Sequence, residues 1–451
     1  EKISRKYKVI PIELNGDTLV VGGSRADFNT IQDLNIITRK NIEFKQYPEE
    51  QIIKEIEAAY GNNIEVDEDY AYKIFETILE NAVSKNVSDI HIEPFDNYLI
   101  IRFRVDGELY EAFRYTLDLH IPLTSVIKLK SGIDITEKRL PQDGRADINI
   151  KDKLIDIRTS TIPTTYGEKT VLRILNRDNF FKTKEEIGFS QKAVQIINQM
   201  ISNNSGIVLI VGETGCGKST TMYSLLNDLN KISRNILTIE DPIEYKMDGI
   251  NQIQVNSKVG LTFEKGLRAM LRQDPDVIMV GETRDKETAE ISVRAAITGH
   301  LVVSTLHTND AISTIVRLEE MGVEPYMVAN SLVGVVAQRL MRKVCPYCKK
   351  EVATSLSDRL ALQEGIKYIS KGTGCPHCNQ TGYKGRIAIH EVIEIDSKVR
   401  KMISNQEEID DIMKYLVEEQ GVETLRDQAL KLVKEGKTTV DEFNKIIAYI
   451  D

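Results

Sequence analysis

The sequence predicts an α/β protein whose largest domain is a parallel sheet covered by helices on both faces. Two observations carry this reading. Apolar, strand-like runs, "GIVLIV", "NILTIED", "DVIMVGE" and "LVVSTLH", alternate with helix-length segments between residues 206 and 307. A glycine-rich loop, "GETGCGKST" at residues 212–220, follows the first of these strands and opens onto a helix-forming run, "TTMYSLLNDLNK".

At roughly 100 to 200 residues per domain, a chain of 451 residues divides into two to four domains. Residues 1–62 read as a small, partial α/β unit, with strands at "YKVIPIEL" and "DTLVVGG" and a helix at "EEQIIKEIEAAYG". Residues 67–178 form a second, α+β unit: a helix at "YAYKIFETILENAVSK", then strands at "SDIHIEP", "YLIIRFRVDG" and "KLIDIRTSTI" that carry outward arginines. The charged stretch "NRDNFFKTKEEIG" supplies a linker over 179–188. Residues 189–395 hold the nucleotide-binding domain with an insertion at 345–378, and 396–451 close the chain with short amphipathic helices.

Bulk properties narrow the function. The net charge of -9 and the lack of a Lys/Arg block argue against a broad nucleic-acid surface. The longest apolar runs, such as Ile207–Val211, fall far short of the ~20 residues of a membrane span, so any membrane role is expected to be peripheral. No signal peptide is evident, and the opening on Glu1 rather than Met is read as a trimmed natural N-terminus. Four of the five cysteines lie in two CxxC pairs, a usage that suits a reducing cytoplasm and a metal site.

The loop satisfies GxxxxGK[ST] through Gly212, Gly217, Lys218 and Ser219, with Thr214, Gly215, Cys216 and Thr220 completing the cradle. Its amides and the helix N-terminus suit phosphate, Lys218 neutralises β/γ oxygens, and Ser219 offers a hydroxyl to Mg2+. Cys216, beside Lys218 and a helix N-terminus, is expected to be a reactive thiol that bound ATP protects. Hydrolysis needs acids at the ends of neighbouring strands, and "TIEDPIE" offers Glu240, Asp241 and Glu244 while "DVIMVGE" offers Glu282. Each has a plain alternative as a helix cap or a solvated charge. His300 and His307 bracket the strand in "TGHLVVSTLH", where they read either as strand anchors or as part of the site. Cys345, Cys348, Cys375 and Cys378, as "CPYC" and "CPHC", read as a closed, structural zinc site, with a redox dithiol as the lesser alternative.

Together these stretches resemble the secretion ATPases of type II secretion and type IV pilus assembly. "GETGCGKST" is similar to that family's Walker A, "TIEDPIEY" to its aspartate box, "RAMLRQDPDVIMVGETRDKETA" to its Walker B region and "AAITGHLVVSTLHTNDA" to its histidine box, while "SDIHIEP", "RFRVDGEL" and "RLPQDGRADI" look like its second N-terminal domain. Glu213 and Cys216 depart from the Pro and Ser more usual there. The resemblance implies a RecA-like motor domain preceded by a PAS-like domain and the remnant of a first N-terminal domain. It further implies a homohexamer that binds ATP and Mg2+ between subunits and works on an inner-membrane platform protein from the cytoplasmic face. By the same resemblance Glu282 is the Walker B carboxylate, and Glu244, with Glu240 and Asp241 as rivals, orients the attacking water. His300 and His307 sense the γ-phosphate, and Arg158 and Arg173 reach it from a neighbouring subunit. The tetracysteine insertion is that of assembly-type ATPases, which places type IV pilus assembly first, type II secretion or a competence pseudopilus next, and a nucleic-acid translocase or a non-hydrolysing scaffold further off.

Overall fold

The computed structural model describes residues 2–24, 28–60, 68–150, 153–175, 182–363 and 365–450. The boundaries expected at 62, 67 and 178, and the first residues of the 179–188 linker, lie outside the described residues. The chain divides into two compact units, Glu1–Arg104 with Leu109–Arg173 and Val105–Glu108 with Ile174–Asp451.

In the first unit, Val9–Asn15 pairs antiparallel with Thr18–Gly23, which runs parallel to Asn41–Gln46. Val9, Val21 and Leu34 form the small core beneath them. A separate six-stranded sheet is ordered Glu108–Thr116, Tyr98–Val105, Asp89–Pro94, Gly167–Leu175, Lys153–Thr164, Gln142–Ile150. Strict alternation sends Leu99, Ile101 and Phe103 into the core and Arg102 and Arg104 outward. The outward guanidinium groups meet acids on the adjacent strand: Arg102 lies 2.6 Å from Glu93 and Arg104 lies 3.8 Å from Asp89.

The second unit is built on a seven-stranded sheet ordered Asn251–Gln254, Ile236–Glu240, Val277–Val280, Leu301–Leu306, Gly206–Val211, Leu332–Val344, Tyr383–Glu394. All neighbours are parallel except the last pair. Two apolar layers form because alternate residues of each strand point opposite ways. Ile207, Leu209 and Val211 join one core, and Val208 and Ile210 join the other. The antiparallel pair Leu332–Val344 and Tyr383–Glu394 makes a long ribbon ending in the two CxxC knuckles and the hairpin Lys349–Ala353/Tyr368–Gly372. Four helices, Ser397–Ser404, Ile409–Glu418, Leu425–Lys434 and Val440–Ile450, follow. The last grips the ribbon: Glu442 accepts from the Arg342 amide at 2.9 Å, beside a bulge in the ladder, and from the Arg342 side chain at 2.8 and 3.0 Å. Among the described residues no helix is long and apolar enough to cross a membrane.

Two neighbours on the ribbon predict an unusual pH profile. Burial holds His390, stacked on Phe189, down to about 3 from its ordinary 6.5. Burial pushes Glu391 up to about 7 from 4.5, although the Ala311 and Leu425 amides donate to its two oxygens. The folded His390 binds fewer protons than the unfolded one, so its contribution rises with pH between about 3 and 6.5. The folded Glu391 binds more, so its contribution falls between 4.5 and about 7. The two slopes oppose each other between 4.5 and 6.5. Denaturant melts of a Glu391→Gln variant should therefore show stability still climbing up to pH 6.5, where the parent has a plateau; identical pH profiles would contradict this.

Candidate active site

The strand Gly206–Val211 ends at the phosphate loop, and the helix Lys218–Leu229 begins directly after it. Glycine is required at both ends of this turn. A Cβ on Gly212, at φ +146°, would lie 2.5 Å from the Gln338 carbonyl, and one on Gly217, at φ +98°, would lie 2.6 Å from Gln338 Nε2. The N-cap of the helix is Gly217, which gives no side-chain cap, so the first-turn amides remain open to an anion. Thr214 and Gly215 are exposed, and Ser219 and Thr220 are half-buried. Lys218 Nζ donates to the Gly212 and Glu213 carbonyls at 2.6 and 2.9 Å, and burial holds its pKa below the ordinary lysine value. A half-buried ammonium resting on loop carbonyls is ready to exchange them for phosphate oxygens.

Cys216 corrects an expectation. Its side chain is only 1% exposed, and burial raises the thiol despite the opposing pull of Lys218 and Arg339. Desolvation outweighs the neighbouring cations, so the thiolate is disfavoured and the buried side chain is turned away from solvent.

The acids separate clearly. Glu240 is buried, and its oxygens accept from Tyr223 (2.5 Å), Thr238 (2.7 Å) and Gln252 (3.1 Å). It is a structural brace. Through the Tyr223 hydroxyl it also supports the next turn, since the Glu244 and Tyr245 amides donate to that oxygen at 3.3 and 3.2 Å. Glu244 is half-buried at the sheet edge and Asp241 is exposed. Glu282, just past the Val277–Val280 strand, is 15% exposed and lies 2.6 Å from Arg284. It is close enough to Lys218 and His307 to act on the ionisation of both.

The two histidines part company. His307 follows the Leu301–Leu306 strand and stands at the same edge as the loop. Desolvation first, then the Lys218 cation, holds it below the usual imidazole range, with Glu282 acting the other way. His300 precedes that strand. Its carbonyl accepts from the Gly206 amide at 3.1 Å, level with the beginning of the loop strand, and its Nδ1 faces the Ala295 carbonyl at 3.0 Å. A six-residue strand at ~3.3 Å per residue puts it ~20 Å from its own chain's loop, so within one chain it anchors the strand and does not join His307 at the loop.

Other arginines of the second unit are engaged locally: Arg268 with Glu264 at 3.1 Å and Arg294 with Glu290 at 3.8 Å. In the first unit Arg173 donates from Nε to Asp89 at 2.8 Å while its side chain stays 59% exposed. Arg158 is half-buried directly across the ladder from Arg145.

Three residues that sequence reasoning passed over complete the edge: Tyr223, Gln338 and Arg339. Gln338 donates to the Cys216 carbonyl at 2.7 Å and accepts from Thr221 at 2.6 Å. The available signal was a polar pair, "QR", inside the apolar strand "LVGVVAQRLM".

Away from this edge, the four sulfurs of Cys345, Cys348, Cys375 and Cys378 lie within 4.8 Å of one another and none is in a disulfide. The closest separations are 3.6, 3.8 and 3.9 Å. Tetrahedral zinc with bonds of about 2.3 Å requires sulfurs ~3.8 Å apart, so the residues fit the metal. The Cys375 and Gly382 amides donate to Cys378 Sγ at 3.2 and 3.3 Å, as suits a thiolate ligand. Replacing Cys375 by Ser should lower zinc content and the thermal midpoint while leaving nucleotide affinity unchanged. A metal-free parent with full stability in chelator would refute the assignment.

A nucleotide loop at the carboxyl edge of a mostly parallel sheet, with acids ending the adjacent strands, defines a RecA-like P-loop motor fold. The chain is similar in fold to the Legionella pneumophila ATPase DotB (TM-score 0.62, 23% identity, 83% of this chain and 95% of that one) and to the pilus retraction motor PilT with bound ADP (TM-score 0.57, 25% identity, 82% and 96%). Residues 65–445 match the family Type II/IV secretion system protein, and the chain belongs to that family. It is 45% identical over 378 residues to the type II secretion system protein E of Aeromonas hydrophila, covering 83% of this chain and 75% of the relative. It is 38% identical over 480 residues to the type IV pilus assembly ATPase PilB of Myxococcus xanthus, covering 98% and 84%, and 41% identical to the Thermus thermophilus PilB, covering 98% and 53%.

Proposed function

We propose that this protein is a Mg2+-dependent ATPase that works as a homohexamer and powers pilin polymerisation in type IV pilus assembly. The observation that carries the reading is the single edge at which the open loop, Lys218, Ser219, Glu244, Glu282 and His307 are presented. Ser219 and, through water, Glu282 are the residues that would hold Mg2+, which when bound would supply neutralisation of phosphate charge. Lys218 leaves its loop carbonyls for phosphate oxygens. Glu244, carried on the turn braced by Tyr223, orients the attacking water, and His307 faces the terminal phosphate. Arg158 and Arg173 approach from a neighbouring subunit.

The preference for pilus assembly rests on the reach of the alignments, 98% of this chain for the pilus relatives against 83% for the secretion relative. The higher identity of the latter favours type II secretion as the second reading. An inner-membrane platform protein is the expected partner, met at the cytoplasmic face, and a competence pseudopilus is a variant of the same activity. The test is a chromosomal Lys218→Ala substitution in the source organism. Loss of surface pili with normal export of folded proteins supports the proposal, and the opposite pattern transfers the protein to secretion.

A further inference from the structure

Arg339 has an unusual position. It is 1% exposed, and no carboxylate pairs with it among the described residues. Its Nη2 donates to two consecutive carbonyls, Asn309 at 2.6 Å and Thr308 at 3.2 Å, and its Nη1 donates to the Gln338 carbonyl at 2.9 Å. Tyr449 of the last helix covers the guanidinium at 4.5 Å, and among the described residues Nε has no hydrogen-bond partner. The carbonyls it holds are those of the two residues after His307. Gln338, its neighbour on the strand, holds the Cys216 carbonyl and Thr221 at the start of the P-loop helix. Successive strand residues point to opposite faces of the sheet, so one dipeptide reaches both loops that flank the phosphates.

We infer that Arg339 is a positioning residue for hydrolysis: it sets the His307 turn relative to the phosphate loop, while Gln338 sets the loop itself. This rests on the reading of His307 as the group facing the γ-phosphate. A fork that satisfies adjacent carbonyls fixes a turn more firmly than a single donor, and a lysine lacks that geometry. Burying a guanidinium without a carboxylate is costly, which makes its retention for packing alone a poor explanation.

The two residues then have separable effects. Arg339→Gln should lower kcat roughly ten- to a hundredfold, as displacement of a group by about 1 Å does, with a clearly smaller loss of ADP affinity, since its Nη1 also lies beside Gly212 of the loop. Gln338→Leu should weaken ADP and ATP binding together, because it releases the loop. Arg339→Lys, which keeps the charge and loses the fork, should behave like Arg339→Gln and serves if that variant does not accumulate. A merely structural arginine would reduce thermal stability and lose affinity and turnover in parallel, and that result would overturn the inference. The deciding measurement is a double-mutant cycle with His307→Ala. If Arg339 acts through His307, the double variant is no slower than His307→Ala alone. Additive losses overturn the role of Arg339 while leaving that of His307 intact. A His307→Ala enzyme with parental kcat overturns the reading of His307 and, with it, this inference.

Discussion

Mixed oligomers of Lys218→Ala and Arg158→Ala chains are expected to hydrolyse ATP although neither variant does so alone. Loss of an arginine that meets the charge developing on the transferred phosphoryl group lowers turnover by about 10³ to 10⁵. Loss of Lys218 removes the phosphate anchor itself. In a ring with head-to-tail contacts, random mixing in equal amounts gives about a quarter of the interfaces an intact loop from one chain and an intact arginine from the next. Activity should return in that proportion. Arg173 is a stricter case because its Nε is already held by Asp89 at 2.8 Å. If that ion pair is its whole purpose, Arg173→Ala will lower stability, because Asp89 is buried and loses a partner, and will leave kcat alone. No recovery in the mixture, once subunit exchange has been demonstrated, would remove Arg158 from the reaction.

The second large effect separates the acids of "TIEDPIEY". Glu244→Gln should reduce kcat by about 10² to 10⁴ while ATP still binds, as expected when a group that orients or deprotonates water is neutralised. Glu240→Gln should do far less to turnover and more to stability, because the carboxylate is enclosed by Tyr223, Thr238 and Gln252 rather than open to a ligand. Tyr223→Phe falls between them. It strips the hydroxyl on which the Glu244 and Tyr245 amides rest, so kcat should decline with nucleotide affinity unchanged. The reverse order, with Glu240→Gln the slowest of the three, would identify the buried acid as the reacting group.

These contrasts show where sequence reasoning reached and where it stopped. The phosphate loop was legible because its chemistry is local: glycines, lysine and serine lie within nine residues, and strand and helix flank them. The cysteine pairs were legible for the same reason, each knuckle being a four-residue pattern. The strand between His300 and His307 was legible, but which of its ends meets the loop was not: that depends on the register with Gly206–Val211, which sets His300 level with the beginning of the loop strand. Cys216 was misjudged because the nearby cation is visible in sequence and burial is not. Gln338 lies more than a hundred residues from the phosphate loop it supports, and Arg339 thirty residues from the turn it holds. Only the strand order, which sets Leu332–Val344 beside Gly206–Val211, brings them together.

Besides its apolar packing, the last helix meets two arginines of the ribbon, Glu442 on Arg342 and Tyr449 on Arg339. Along the helix these contacts are seven residues apart, about 10.5 Å at 1.5 Å per residue. Along the strand they are three residues apart, about 10 Å at 3.3 Å per residue. Two polymers with different repeats thus agree in length over this interval, as the marks of a vernier coincide at one setting. A slip of the helix by one residue would turn Tyr449 by about 100° and carry it off the guanidinium, even if Glu442 followed its partner. The helix therefore measures the ribbon as well as covering it, and the setting at which both marks agree is the one at which Arg339 is capped.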